Sequence, residues 1–529
     1  MSFEARIIPS QNPQTGVENF SSIYAQSHRI GSEFLEPLKN REHMARPYPA
    51  MDFDFLAINV PSTYQQGLIP DGEEPPWGML RVVASARELS GLNAGVLDAH
   101  RLKLLPEDIQ DQIKKTGAKL IGINPTSVNV PEAQAIAEIC DELGVDYIVG
   151  GIHATLDPQV ARMDFPNARA IVRGNGEAVI GDLVNDILSG NSRLAPGVLM
   201  REGEYLGLIP YAKKMNPGTI PMVNQQELVE EPVYRHTVTI NGEKKEIAEA
   251  TLFVTEGCPF ECTFCASPVM VNRGAQGSVP YSRPPMERIL DEVDHCANDL
   301  GADSIHFLDD MAFVTESHLT DLYQGMKDRD LLDRVRWRGL TRAPVIDRFS
   351  DVAMERMRES GAWKIALGVE SGSDAVLESI LKKVSTDEVR RAVSRLTKYG
   401  IQTKGFFIMG FPDETEEQIQ QTKDFIRELK DRGMSEAAVF QFKPYPGTAE
   451  YRNLVYKRPE IVPQLTYLRR SGTELTGKAK YRVEQHDTWL PDNLRIAEVP
   501  SGRVREHVTE ALQEFYGEEY IGEAKSDCI

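Results

Sequence analysis

Along the first third of the chain, short apolar runs alternate with longer segments whose apolar positions recur at helical spacing. Phe55–Val60, Ala94–Asp98, Lys119–Ile123, Tyr147–Val149 and Ala170–Val172 read as strands. Between them the spacing predicts helices. One opens at Pro75-Pro76-Trp77-Gly78 and runs to Leu89, with proline in the first turn, where its missing N–H is no loss. Others cover Pro106–Lys115 and Pro131–Leu143, the latter closed by Gly144. A further helix follows Arg173-Gly174-Asn175-Gly176-Glu177 and ends near Leu188. Strands alternating with helices predict a doubly wound parallel sheet, Rossmann-like, whose ligands lie outside the carboxyl ends of the strands. The polar or glycine-rich segments 124–129, 150–155 and 173–177 fall at those ends.

Residues 190–245 lose this pattern, apart from Thr237–Ile240 leading into Asn241-Gly242, a hairpin signal. A second alternating series begins at Ala250. Its strands are expected at Leu252–Val254, Ser304–Leu308, Val335–Gly339, Lys364–Val369, Gly405–Met409 and Ala438–Phe442. Helices are expected at Met286–Leu300, Asp351–Ser360, Thr386–Tyr399 and Thr415–Arg432. Six such repeats predict a partial (β/α)6 barrel of the TIM type, with its working residues at the strand C-termini. The expected division is an N-terminal extension (1–50), a sheet domain (51–190), a connector (191–245), the barrel (246–455) and a C-terminal region (456–529) with one amphipathic helix, Val504–Tyr516.

Composition narrows the class. The 529 residues are 41% hydrophobic and 26% charged, ordinary for a globular protein of two or three domains. A formal charge of −20 argues against non-specific binding to nucleic acid or anionic membranes. No run approaches the roughly 18 apolar residues of a bilayer span. A cytoplasmic protein is expected, where thiols stay reduced.

Three of the six cysteines crowd into Cys258-Pro259-Phe260-Glu261-Cys262-Thr263-Phe264-Cys265. Three thiolates at this C-x-x-x-C-x-x-C spacing can bind three irons of a [4Fe–4S] cluster and leave the fourth open. Zinc would require a distant fourth ligand, with His295, Cys296 and His306 as candidates. Structural thiols are the remaining reading. Cys140 sits in a helical pattern as a core thiol, and Cys528 is incidental.

The cysteine loop, with an aromatic residue before its last cysteine, resembles that of the radical S-adenosylmethionine (SAM) enzymes. The downstream array extends the resemblance: Phe307-Leu308-Asp309-Asp310, Gly368-Val369-Glu370-Ser371-Gly372-Ser373, Gly410-Phe411-Pro412-Asp413-Glu414-Thr415 and Pro444-Tyr445-Pro446-Gly447-Thr448. With the preceding sheet domain, the span from Phe53 to Tyr451 is similar to the subgroup whose barrel follows a cobalamin-binding domain. The resemblance implies a [4Fe–4S] cluster on Cys258, Cys262 and Cys265, SAM at its open iron, and cobalamin on the sheet. It implies a radical SAM methyltransferase acting on an unactivated carbon or phosphorus centre of a small biosynthetic metabolite, using two SAM per turnover. A dehydratase, cyclase or epimerase with a vestigial or repurposed sheet domain is the alternative. An external flavodoxin- or ferredoxin-type electron donor would be needed.

Within that reading Glu370 accepts hydrogen bonds from SAM, and Ser371 adds a hydroxyl. Of Asp309 and Asp310, which point to opposite faces of a strand, one pairs with Arg338 or Arg342 and the other faces SAM or substrate. Lys404 is left as a solvated lysine. Ser127, Asn129, Gly150, Gly151, Gly174 and Glu177 are the expected cobalamin contacts, the glycines permitting close backbone approach. Asp98-Ala99-His100 approximates the D-x-H-x-x-G cobalt-ligand motif but lacks its glycine and follows the second strand, so His100 is rejected as a cobalt ligand.

Overall fold

The computed structural model describes residues 52–61, 75–102, 104, 106–127, 129–191, 195–201, 210–223, 233–240, 243–271, 280–465 and 490–517. The N-terminal extension, the Asn241-Gly242 turn and Cys528 lie outside the described residues.

The first sheet runs β2-β1-β3-β4-β5-β6. Its parallel strands are β1 (Phe55–Ile58), β2 (Ala94–Leu97), β3 (Leu120–Ile123), β4 (Asp146–Val149) and β5 (Ala170–Val172). Nearly every residue in them is buried, because helices cover both faces. Strand order reverses between β1 and β3, which makes their C-terminal loops the crevice where such sheets bind ligands. A sixth strand, β6 (Val198–Met200), pairs antiparallel with β5 and lies in the segment expected to be irregular. Three residues are too few to show a period, so only pairing reveals them.

The second sheet runs in strict chain order from β7 to β13. Six parallel strands form the partial barrel: β8 (Glu243–Leu252), β9 (Ser304–Phe307), β10 (Arg336–Thr341), β11 (Ala362–Glu370), β12 (Gln402–Met409) and β13 (Glu436–Gln441). β7 (Val233–Ile240) pairs antiparallel with β8 over its whole length, from Val233↔Ala250 to Ile240↔Glu243. The hairpin signal was therefore the edge of this sheet. The charged start of β8, Glu243-Lys244-Lys245-Glu246, is on its more exposed half, where charge blunts an edge.

Local chemistry fixes the outer helices. Thr386–Lys398 begins with a capping box between Ser385 and Glu388, and Glu416–Asp431 with one between Thr415 and Gln418. Their apolar faces, Val389/Ala392/Val393/Leu396 and Ile419/Phe425/Ile426/Leu429, bury against the barrel. The C-terminal helix Ser501–Tyr516 begins three residues before the expected Val504 and covers β13. There Tyr516 Oη both accepts from Ala437 N–H and donates to its carbonyl, each at 2.8 Å.

The two sheets share a core. Trp77, Leu80 and Val83, on the helix Trp77–Ser90, belong to one apolar cluster with Leu252, Val254 and Ile289 of the barrel. The opposite face of the first sheet has its own cluster around Leu56, Ile121, Ile136 and Phe165. Among the described residues no helix is long and apolar enough to cross a membrane.

Candidate active site

The cysteine loop leaves the C-terminal end of β8. Glu256 exchanges two backbone hydrogen bonds with Ser282, at 2.8 and 3.1 Å, and so fixes where the loop begins. Gly257 follows at φ +78°; a Cβ there would lie 2.3 Å from Val271 Cγ1 and 2.4 Å from the Pro280 carbonyl. Only glycine passes this point without moving the loop. Further along, Thr263 N–H donates to the Ile380 carbonyl (3.1 Å), and its own carbonyl accepts from Glu450 N–H (2.9 Å). Cys262 is buried, Cys258 and Cys265 half-buried, and all three are free thiols. Ser267 N–H points at Cys265 Sγ from 3.4 Å.

Burial pushes the Cys258 thiol up to about 11 and moves Cys265 in the same direction. A metal taking these sulfurs must displace their protons. Among the described residues no three His, Cys, Asp or Glu side chains converge tightly enough for a single metal ion. A cubane asks for something different, since each thiolate takes its own iron. Three free thiols on one anchored loop at a barrel strand end fit that requirement.

Around the loop stand the other barrel strand ends. Asp309 is 1% exposed and accepts from the Thr255 backbone N–H, while its second oxygen has no partner among the described residues; burial raises its pKa to about 7. Asp310 is exposed and accepts from Ser267 Oγ at 2.5 Å. Among the described residues neither aspartate pairs with an arginine, against the sequence expectation. Arg338 instead binds Glu249 with both nitrogens, at 2.6 to 3.1 Å. Burial would raise Glu249, but Arg338 takes it below its ordinary value. Arg342 lies with its guanidinium over the Phe260 ring, 3.6 Å from the centroid.

Glu370 ends β11 at φ +67°, an uncommon backbone for a non-glycine residue, beside a register shift. Such strain gathers at functional sites. Its carboxylate accepts from Lys382 Nζ at 2.6 Å, and both side chains are buried. Gly368 leaves room for that pair: a Cβ there would stand 2.8 Å from Lys382 Nζ. Ser371 turns away into structure. It is fully buried, bonds Thr422 Oγ1 (3.1 Å) and accepts from Ser373 N–H (3.1 Å). Lys404 lies within 4.0 Å of Glu436. The turn at Gly410 is held by Glu414, which accepts from Gly410 N–H (2.6 Å) and Phe411 N–H (3.0 Å).

The carboxyl ends of the first sheet meet this region. Tyr211 Oη donates to the Val269 carbonyl, just past the cysteines, at 2.7 Å, and Arg173 lies over the Tyr211 ring at 4.1 Å. Gly447 packs so closely on Leu156 that a Cβ would lie 2.7 Å from its carbonyl. Ser127 and Asn129 follow β3, in the crevice where strand order reverses. Asn129 is buried and accepts from Thr126 N–H (2.7 Å) and Oγ1 (3.0 Å), so its carbonyl shapes the loop. Gly150 precedes a short helix, and a Cβ there would make only an ordinary contact with Val172; Gly151 (φ +82°) and Gly174 (φ +94°) use their left-handed freedom.

Glu177, expected among the corrinoid contacts, is buried in a short 3-10 turn. It pairs with Arg81 Nε at 3.2 Å, and Arg81 also binds Glu256 at the start of the cysteine loop. Lys214 reaches Glu256 from the other side at 3.3 Å. This chain of charges ties the glycine-rich loop of the sheet to the cysteines. Sequence reading missed Arg81, although the i, i+4 spacing of Trp77 and Arg81 put a lone arginine on an apolar helix face. His100 is only half-buried, in a turn after β2. His153 is buried and engaged by Asp164 at 2.9 Å.

Comparison with known proteins places this geometry. Residues 252–426 match the model of the radical SAM superfamily. The chain is 27% identical over 376 residues to an uncharacterized methyltransferase of Pyrococcus horikoshii, covering 71% of this chain and 77% of that one. It is 25% identical over 393 residues to the cytidylyl-2-hydroxyethylphosphonate methyltransferase of Streptomyces wedmorensis, covering 67% and 70%. The fold is similar to that of the radical SAM methyltransferase TsrM from Kitasatospora setae, solved with cobalamin and a [4Fe-4S] cluster bound. There the TM-score is 0.58, identity 17%, and coverage 78% of each chain.

Proposed function

This chain belongs to the radical SAM enzymes, and from that premise we propose that it is a cobalamin-dependent methyltransferase acting on a carbon or phosphorus atom of a small metabolite. The observation that carries this reading is the meeting of two sites. A three-cysteine loop at a barrel strand end is docked, through Tyr211–Val269 and Arg81–Glu256, against the ligand-binding edge of a doubly wound sheet. One chain thus holds a place for a reductant of SAM beside a place for a methyl carrier. Relatives named as methyltransferases support the choice.

Cys258, Cys262 and Cys265 would hold three irons. A cluster so bound supplies an electron to SAM, and a corrinoid supplies a transferable methyl group. The remaining work is positioning and exclusion of water. Glu370, fixed by Lys382, would accept hydrogen bonds from SAM. Asp309 holds the Thr255 backbone, and with it the approach to the cysteine loop. Ser127, Asn129, Gly150, Gly151 and Gly174 would line the corrinoid, with Glu177 acting behind them through Arg81. Residues 51–190 would be the corrinoid domain and 246–455 the SAM barrel, with the substrate between them. Flavodoxin- or ferredoxin-type proteins would be the electron donor, and the cytoplasm the setting.

The test is anaerobic reconstitution, a census of iron, sulfide and corrinoid per chain, and turnover with SAM carrying a deuterated methyl group. The expected result is a labelled product with one S-adenosylhomocysteine and one 5'-deoxyadenosine for each methyl transferred. Product formed with 5'-deoxyadenosine but without label or S-adenosylhomocysteine would favour a cyclase or dehydratase and refute methyl transfer.

A further inference from the structure

We propose that Arg342 is a positioning residue that raises the reduction potential of the cluster held by Cys258, Cys262 and Cys265. The inference rests on the cluster assignment and goes beyond it.

Arg342 stands one residue past the end of β10 and is 4% exposed. Its guanidinium covers Phe260, which lies between the first two cysteines of the loop. Among the described residues its Nε and Nη2 have no hydrogen-bond partner. A buried cation with two idle donors is costly unless an anion completes it. Other buried or half-buried cations nearby are satisfied by carboxylates: Arg338 by Glu249, Arg81 by Glu177 and Glu256, Lys382 by Glu370. Among the described residues no carboxylate bonds Arg342 in this way. Burial lowers its pKa, opposed by Cys262, Cys258 and Glu370 around it, and its guanidinium hydrogen-bonds Cys262. Stacking on Phe260 explains how the plane is held, because a ring face attracts a guanidinium. It does not satisfy the N–H groups.

A cubane on three thiolates supplies the missing charge. It is anionic before it takes an electron and more so afterwards. A fixed cation in a low-dielectric surround favours the state with more negative charge, and N–H donors near sulfur act in the same sense. Arg342 therefore makes the cluster easier to reduce by an external one-electron donor. A structural arginine that only braces Phe260 would leave the potential unchanged.

The test uses the full chain, reconstituted anaerobically without SAM, with iron and sulfide measured and the reduced cluster titrated by electron paramagnetic resonance. Arg342→Gln is expected to bind the wild-type amount of iron and to lower the midpoint. The reduction equilibrium should shift at least tenfold, about 59 mV for one electron. Arg342→Lys, which keeps the charge, should recover most of the shift. If Arg342→Gln fails to assemble a cluster while Arg342→Lys succeeds, the requirement for charge beside the thiolates is upheld. A full cluster in Arg342→Gln at the wild-type midpoint overturns the proposal, and so does loss of the cluster in both variants, which would make the guanidinium a structural brace. A wild-type chain that assembles no cluster would overturn the cofactor assignment as well.

Discussion

Glu414→Gln isolates a single buried acid. The carboxyl of Glu414 is 1% exposed, and burial raises its pKa from 4.5 to about 7 against the pull of the Gly410 and Phe411 N–H groups. In the unfolded chain the acid ionises near its ordinary value. Between roughly pH 4.5 and 7 the folded state therefore binds more protons than the unfolded state, and stability falls as pH rises. A tenfold change in acidity between the two states corresponds to about 1.4 kcal/mol, so the loss reaches about 3 kcal/mol above pH 7 and vanishes below the unfolded value. Glutamine keeps an oxygen for the two N–H donors and cannot titrate. The variant should be more resistant than wild type at pH 8 and nearly equal at pH 5. At about 2.1 cal/mol/K per residue the difference is about 3 °C in Tm for a cooperative unit of this size. Calorimetry of both proteins from pH 5 to 8 is the assay. Parallel Tm curves would show that Glu414 is ionised in the folded protein and that the reasoning is wrong.

Replacing Cys258, Cys262 or Cys265 by alanine should abolish iron binding and 5'-deoxyadenosine formation with little change in far-ultraviolet circular dichroism; reductive SAM cleavage by the triple variant would contradict the assignment. Arg81→Gln leaves Glu177 and Glu256 buried with less counter-charge, and should cost about 3–5 kcal/mol in denaturant unfolding; a cost below about 1 kcal/mol would mean that solvent reaches the pair. Gly150 is a clean probe of the corrinoid edge, because a Cβ there meets nothing nearer than Val172 at 3.8 Å. Gly150→Leu should weaken hydroxocobalamin binding at least tenfold with Tm unchanged, and undiminished binding would move the ligand elsewhere.

The sequence showed the parallel strands because burial on both faces makes them continuous apolar runs, as in Phe55–Ile58 and Leu120–Ile123. It also showed the cysteine loop, whose spacing is local. It hid what depends on pairing. The start of β8 is charged because it lies against β7 at an edge, so the apolar pattern begins late. Side-chain partners were harder still. Ser371 occupies a motif position, yet its hydroxyl is spent on Thr422, and Glu177 is spent on Arg81. Lys382 and Arg342 carry no periodic signal. Only the fold reveals that one is held by a carboxylate while the other meets Cys262 and the Phe260 ring.

The helix Trp77–Ser90 has a consequence for how the protein is made. Trp77 and Arg81 face Val254, Thr255 and Glu256 across a cavity of about 30 Å³, so the helix is finished only when barrel residues far downstream reach it. At about 5–20 residues per second, synthesis leaves that face without its cover for roughly ten to thirty seconds. During that interval the nascent sheet presents tryptophan and leucine to solvent. Fragments cut after residue 190 would stay in that condition permanently. Soluble expression should therefore track the integrity of β8, and a corrinoid-binding defect in a truncated chain would report the missing cover before it reported anything about the ligand.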